Sequence, residues 1–162
     1  MKKKITALVM AAAMCLSVAA CGSDNGGSDT AKDTYTVGIC QLVQHQALDA
    51  ATQGFKDALK EELGDKVEFV EQNAANDIPT CGTICNGFVS SGVDLILANA
   101  TGALQAAAAA TKDIPILGTA VTEYGVALGI DNFSGTVGGN ISGTSDLADL
   151  EAQANMITEW FP

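Results

Sequence analysis

The chain has 162 residues, enough for one domain of ordinary size. After the first 20 residues it holds 19 acidic residues, five lysines and no arginine, which gives a formal charge of −14. So acidic a surface repels nucleic acid and anionic lipid headgroups, which excludes a nucleic-acid-binding protein. It leaves open a small anionic ligand, because backbone N–H groups can hold one locally.

The N-terminus has the parts of a bacterial secretory signal. Lysines at positions 2–4 precede an apolar run over residues 5–20. The run has about 16 residues, short for a membrane span of roughly 20. It ends in Val18-Ala19-Ala20-Cys21, which looks like a lipobox. We therefore expect a signal peptide over 1–20 and a diacylglycerol on the Cys21 thiol. The alternative is an ordinary signal peptide whose next residue happens to be cysteine.

Residues 22–34 are almost entirely Gly, Ser, Asp and Thr and cannot build a core. We expect residues 21–34 to form a flexible tether between the lipid and a domain that begins near Tyr35. The domain would then lie at the extracytoplasmic face of the cell membrane.

Short β-branched runs alternate with longer helical patterns between Tyr35 and Thr122. Apolar residues at helical spacing, with stop signals at Gly64 and Gly92, indicate the helices. The predicted strands cover 36–42, 66–71, 93–98 and 114–119, and the predicted helices cover 47–63, 79–91 and 102–111. Strands that alternate with helices of about 10 to 17 residues require right-handed crossovers. The predicted fold class is therefore α/β, a parallel sheet with helices on both faces.

The pattern is weaker after Thr122. We predict a fifth short strand at 125–130, a glycine-rich loop at 131–140, a last strand at 141–146 and a helix at 147–161.

Residues that carry chemistry are few. Cys40, Cys81 and Cys85 are an odd number of thiols for an exported domain, so we expect small buried thiols rather than a disulfide framework. His45 is the single histidine, and a metal site needs more ligands than these residues offer. The sequence contains no phosphate-binding loop, zinc-protease motif or nucleophile elbow. It therefore predicts no enzyme, no metal and no cofactor.

Two candidate ligand-binding residues come from the junction of strand 93–98 and helix 102–111. Open α/β sheets bind ligands at the C-terminal ends of their strands. Thr101 fits the N-cap of this helix, and the N–H groups of Thr101 and Gly102 would face the cleft and suit a carboxylate. The alternative is an ordinary helix cap with no ligand.

Four further candidates follow other strands at the same edge. The Thr122 hydroxyl could bond a ligand, or Thr122 is a turn residue. Gln44 and His45 lie in the loop after the first strand, where a surface-loop histidine is the alternative. Asp146 could pair with an α-ammonium group, or it caps the helix that begins at Leu147.

Three segments, in order behind the lipobox-like sequence, resemble a known family. They are GICQLVQHQALDAATQGFKDAL, VDLILANATGALQAAAAATKDIPILGTAVTE and GGNISGTSDL. They look like the substrate-binding lipoproteins of ABC importers of the tryptophan/tyrosine type, and the resemblance covers nearly all of 35–162. It implies one lobe of a type I periplasmic-binding-protein-like, flavodoxin-like fold, whose cleft closes on the ligand.

The resemblance implies a protein without catalysis that captures a small amino acid-like ligand and delivers it to an ABC permease. An aromatic amino acid is implied by the family alone, and Tyr124 is the nearest candidate for an aromatic wall. Gln46 stands where the family usually has proline, and Glu123-Tyr124 where Asp-Pro is usual. The chain ends about where the second lobe should begin. We therefore expect a truncated protein, with a first lobe over 35–146 and a helix over 147–162 that leads toward the missing lobe.

Three other interpretations stay open. The same lobe could present its ligand to a membrane receptor; neighbouring permease and ATPase genes would decide against this. An enzyme of flavodoxin or Rossmann type would need a phosphate-binding loop, or a nucleophile with its base. The third interpretation is a fragment without function.

Overall fold

The computed structural model describes residues 33–161. The predicted signal peptide, the lipidation site Cys21 and the tether as far as residue 32 lie outside the described residues, as does Pro162. In the described part of the chain, no helix is long and apolar enough to cross a membrane.

Strands and helices alternate along the whole described chain. The strands are β1 (Tyr35–Gln41), β2 (Val67–Asn73), β3 (Leu95–Asn99), β4 (Ile116–Val121) and β5 (Ile141–Ser145). The α-helices are α1 (Gln46–Leu63), α2 (Ile78–Ser91), α3 (Thr101–Ala110), α4 (Tyr124–Leu128) and α5 (Leu150–Trp160), and a 3-10 turn over Gly64–Lys66 joins α1 to β2. The predicted alternation over 36–119 is confirmed, with element ends within about two residues of those predicted.

All five strands run parallel, in the order β2-β1-β3-β4-β5. Phe55 and Leu59 of α1 pack on one face of the sheet with Ile39 and Leu97. Helices α2, α3 and α4 cover the other face in a larger apolar cluster that includes Phe88, Leu104, Ile96, Ile116 and Ala127. The predicted α/β class is thus confirmed, and the strand order is that of a doubly wound, flavodoxin-like sheet.

The strand predicted at 125–130 is wrong, because these residues form helix α4 and its end. The Glu123 carboxylate accepts hydrogen bonds from two N–H groups of the first turn, at 2.8 and 2.6 Å, and Gly129 ends the helix with φ 65°. In so short a run, apolar residues at every second position imitate a strand. Here they are Val126, Leu128 and Ile130.

The last helix begins at Leu150 rather than at Leu147. The Asp149 carboxylate caps it by accepting a hydrogen bond from the Ala152 N–H at 2.9 Å. The alternative that Asp146 caps this helix is therefore wrong. Asp146 instead directly follows β5, the strand predicted at 141–146.

Candidate functional site

The two central strands end in loops that diverge. Helix α1 lies on one face of the sheet and α3 on the other, so the chain leaves β1 and β3 in opposite directions. A crevice opens between such loops, and doubly wound sheets bind their ligands there. We call the loops that follow β1 to β5 the C-terminal edge; they cover residues 42–45, 74–77, 100, 122–123 and 146–149.

Helix α3 begins at this crevice, and no side chain among residues 33–161 caps it. Its N-cap is Ala100, with φ 91° and ψ 159°, so the prediction that Thr101 is the N-cap is wrong. A tertiary contact holds this backbone, since the Ala100 N–H donates to Thr119 O of β4 at 2.9 Å. Ala100 O accepts the first helical hydrogen bond, from the Leu104 N–H at 3.0 Å. Thr101 becomes the first helical residue. The N–H groups of residues 101–103 have no intrahelical partner.

The other α-helices in the described chain do have side-chain caps. The capping residues are His45, Asp77, Glu123 and Asp149. Helix α3 therefore differs in presenting free N–H groups and the positive end of its dipole. The acceptor oxygens of an anion would complete this cap.

Gly102 brings the start of α3 against the loop after β1. It is buried, and a Cβ at this position would overlap Ile78 Cδ1 and lie 3.4 Å from Leu42 Cδ1. This close approach requires glycine. The structure thus brings Thr101 and Gly102 beside loop 42–45, which carries two other predicted site residues.

Those two residues are Gln44 and His45, and both are exposed. His45 Nδ1 accepts a hydrogen bond from the Ala47 N–H at 3.2 Å, which caps helix α1 and places the proton of a neutral ring on Nε2. The sequence analysis missed this capping role, because histidine is not among the usual N-cap residues and the predicted helix began at residue 47. Gln44 makes no hydrogen bond within the described residues.

Thr122 and Asp146 lie farther along the edge, at the ends of β4 and β5. The Ser145 hydroxyl donates to Thr122 O at 2.7 Å, and the Asp146 N–H donates to Val121 O at 3.1 Å. Both predicted residues have exposed side chains. Because β4 is next to β3 and β5 is one strand farther, Thr122 lies roughly 5 Å and Asp146 roughly 10 Å along the sheet from the start of α3.

Most acidic side chains near this edge are already engaged. Asp49 accepts a hydrogen bond from Gln41, and three others cap helices: Asp77, Glu123 and Asp149. The Asp146 carboxylate accepts none from the residues that the structure describes. It is therefore available to a cation.

The C-terminal edge contains no lysine or arginine. Lys56 and Lys60 lie on α1, about 6 Å from the Phe69 ring centroid. Lys66 and Lys112 precede β2 and β4, at the opposite edge of the sheet. An anion at the C-terminal edge therefore depends on backbone N–H groups and the His45 ring.

Backbone strain is concentrated near this edge. In the described chain, five non-glycine residues have positive φ, and four of them lie at or beside the C-terminal edge: Ala75 (52°), Asn76 (64°), Ala100 (91°) and Ala120 (53°). Ala120 coincides with an irregular register between β4 and β5. Strained residues of this kind cluster at ligand sites, where the surrounding structure imposes them.

A buried polar cluster beneath the crevice was missed by the sequence analysis. Gln41 and Asn99 end β1 and β3, and Thr52 is the one fully buried residue of α1. The available signal in the sequence was a polar residue at the end of each of two apolar strands. Their pairing needed the strand order, because Asn99 is 58 residues from Gln41 and 47 from Thr52.

Tyr124, the candidate for an aromatic wall, is largely buried in the core. Its ring packs over Gly118 and Gly143, and its hydroxyl donates to Thr144 O at 3.2 Å. Burial, and then the nearby Asp146 carboxylate, raise the pKa of this phenol. One side of the residue lines a cavity of about 670 Å³ along β5, together with Phe133 and Leu147.

The three described cysteines are free, fully buried and in one cluster, as predicted for buried thiols. The hydrogen bond between Cys40 and Cys85 raises the pKa of Cys40 and lowers that of Cys85. Burial raises the pKa of the Cys81 thiol.

Comparison with known proteins places this lobe in a family. The profile of the family described as "ABC transporter substrate binding protein" matches residues 36–162, so the chain belongs to that family. A "Tyrosine-binding protein" of Clostridioides difficile is 39% identical over 171 residues, which cover 99% of this chain and 49% of that protein.

Solved structures agree with this assignment. The ligand-free, open structure of a substrate binding protein with adhesive properties from Clostridium difficile matches at 42% identity and a TM-score of 0.72, over 80% of this chain and 44% of that one. The ABC domain in complex with L-Trp from Streptococcus pneumonia matches at 32% identity and a TM-score of 0.70, over 77% and 43%. The chain thus spans about half the length of the relatives that it matches. Their family is one of solute-binding proteins rather than of enzymes.

Proposed function

We propose that this chain is the ligand-capturing lobe of an ABC importer, held by lipid at the extracytoplasmic face, and that its ligand is an aromatic amino acid. Family membership and the tyrosine and tryptophan named for two relatives support this ligand class. The observation that carries the proposal is the uncapped start of α3, in the crevice between β1 and β3.

In the proposed mechanism, the ligand carboxylate completes the cap of α3. The N–H groups of Thr101 and Gly102 donate to it, with Gln44 and His45 on the neighbouring loop beside it. An N–H cradle suits this carboxylate because the edge offers no arginine or lysine. In a two-lobed relative, the second lobe would supply the facing half of the cleft.

We also propose that Asp146 receives the ligand ammonium group and that the Thr122 hydroxyl bonds nearby. Asp146 is the acidic side chain at this edge that accepts no hydrogen bond from the described part of the chain. The separation of roughly 10 Å between β3 and β5 means that its side chain must reach back across the end of β4.

Paired variants of Thr101, the first residue of α3, test whether the N–H cradle binds the ligand carboxylate. Proline is tolerated there, because its missing N–H has no intrahelical partner in any case. Thr101→Pro should weaken L-tyrosine and L-tryptophan binding about tenfold in calorimetry, while Thr101→Ala binds normally. Leu150→Pro makes the same change at the start of α5 and serves as the control.

Tyramine, which lacks the carboxylate, completes this experiment. It should bind equally weakly to the parent chain and to Thr101→Pro. Equal L-tyrosine affinity in Thr101→Pro and the parent would overturn the cradle, and loss in Thr101→Ala would move the contact to the hydroxyl.

Asp146→Asn tests the ammonium partner. It should weaken L-tyrosine binding about tenfold, because a charge-assisted hydrogen bond is lost. Asp149→Asn removes the same charge nearby while retaining a good cap residue, so it should bind normally. Unchanged affinity in Asp146→Asn would remove Asp146 from the site.

Cys21 tests the membrane anchor. Labelled palmitate fed to cells that express the chain should enter the protein, and Cys21→Ser should abolish the label and release the protein from the membrane fraction. Cys15→Ser, inside the apolar run, is the matched control. Label that persists in Cys21→Ser would refute lipidation at this residue.

A further inference from the structure

We propose that Gln41, Thr52 and Asn99 form a positioning network that sets ligand affinity without touching the ligand. The network lies under the crevice and joins the two loops that form it. This inference rests on the proposed function for its affinity readout, but the coupling of the loops can be measured without any ligand.

The network is continuous through its hydrogen bonds. The Thr52 hydroxyl donates to Gln41 Oε1 and accepts from Asn99 Nδ2, both at 2.8 Å. Asn99 Nδ2 also donates to Leu48 O at 2.8 Å, and Gln41 Nε2 donates to Val43 O at 3.0 Å and to Asp49 Oδ1 at 2.6 Å. The side chains of β1, β3 and α1 are thereby tied together.

These bonds reach both sides of the crevice. Val43 O lies inside the loop that carries Gln44 and His45, so Gln41 fixes that loop. Asn99 O accepts the Leu42 N–H at 3.1 Å, and Asn99 directly precedes Ala100, the N-cap of α3. A displacement of Asn99 would therefore move both loop 42–45 and the uncapped N–H groups of α3.

Stability alone gives no reason for this cluster. Gln41, Thr52 and Asn99 are each at most 3% exposed, and Asn99 Oδ1 has no hydrogen-bond partner among the described residues. A buried acceptor without a partner costs stability, which an apolar residue of similar shape would avoid. A network that fixes the geometry of the crevice accounts for the retained polar groups.

Thr52 offers the sharpest test, because it can be replaced by residues of similar size with or without a hydroxyl. Thr52→Val keeps the shape and breaks the network, whereas Thr52→Ser keeps the hydroxyl. Thr111→Val is the matched control: it removes a nearly buried hydroxyl that accepts two N–H bonds at 3.1 Å, before β4 at the opposite edge of the sheet.

We expect Thr52→Val to raise the Kd for L-tyrosine about fivefold to tenfold in calorimetry and Thr52→Ser to restore it within about twofold. Thr111→Val should lower the midpoint of urea unfolding and leave the Kd unchanged. If Thr52→Val fails to fold, Gln41→Leu should give the expected rise in Kd, because it removes the donor to Val43 O and the acceptor of the Thr52 hydroxyl.

Amide hydrogen exchange without ligand provides the second readout. Thr52→Val should speed exchange at Leu42, Ala100 and Leu104, whereas Thr111→Val should not. A Thr52→Val Kd that changes no more than that of Thr111→Val, or unchanged exchange at these three amides, would overturn the network. If Thr52→Val alters exchange as expected but the parent chain binds no aromatic amino acid, the proposed function is refuted and the loop coupling stands.

Discussion

At the scale of single residues, Ala100 shows what the sequence does not reveal. A threonine before a helical pattern is a sound N-cap signal, and on that basis the cap belongs to Thr101. The observed cap is shifted by one residue because a hydrogen bond to Thr119 in another strand holds Ala100 at φ 91°. Contacts between distant residues decide such details, and local propensity does not contain them.

Ala100→Gly should stabilise the protein. Glycine populates this backbone region readily, whereas alanine is strained there, so we expect a gain of about 1 kcal/mol in the free energy of unfolding by urea. Ala109→Gly, at an exposed helical position of α3, should instead cost about 1 kcal/mol. A loss in both variants would show that Ala100 carries no strain.

Tyr124 should make the protein sensitive to alkaline pH. Its pKa is raised in the folded state, so its contribution to stability is fully present below the unfolded pKa of about 10 and is lost as the pH rises through the folded pKa. Urea unfolding of Tyr124→Phe should therefore lose less stability than the parent between about pH 8 and pH 11. Tyr35→Phe serves as the control. A slope for Tyr124→Phe equal to that of the parent would contradict the shift.

At the scale of elements, the chain is predictable where the pattern is long. Helices α1, α2 and α3 and the strands between them follow from apolar periodicity and glycine stops. Helix α4 does not, since Tyr124–Leu128 is too short for the two periods to differ. The last helix is present as predicted but shorter, Leu150–Trp160 instead of 147–161, and none of its residues is buried.

An aspartate N-cap should therefore contribute differently to the stability of the protein in helices α2 and α5. Asp77 caps α2, which buries Cys81, Ile84, Cys85 and Phe88, whereas Asp149 caps α5, which buries none of its residues. Asp77→Ala should lower the free energy of unfolding by about 1 kcal/mol, and Asp149→Ala should leave it unchanged. Equal losses in urea would show that α5 is part of the cooperative fold.

At the scale of the whole lobe, apolar clusters cover both faces of the sheet, whereas the last helix buries none of its residues. The apolar side chains of the last helix are exposed, with Trp160 at 66% and Ile157 at 64%. Leu147, just before this helix, is also exposed and lines the cavity along β5 with Phe133. An exposed apolar surface of this kind is typical of an interface.

Trp160 gives this surface a direct readout, because it is the single tryptophan of the chain. Its fluorescence should be that of a solvent-exposed indole and should be quenched by acrylamide at low protein concentration. Trp160→Phe supplies the blank. Emission that is already blue-shifted and protected at the lowest concentration would contradict the exposure of α5.

The lack of lysine and arginine at the C-terminal edge also affects the electrostatic field that an approaching ligand meets. A ligand that approaches this edge meets the field of a strongly acidic chain before it meets any N–H group, and within a Debye length of about 8 Å that field opposes net negative charge. A zwitterion carries no net charge and approaches freely, whereas a dicarboxylic amino acid is slowed. Selection against glutamate and aspartate would then begin during diffusion, would be strongest in dilute buffer, and would need no dedicated side chain.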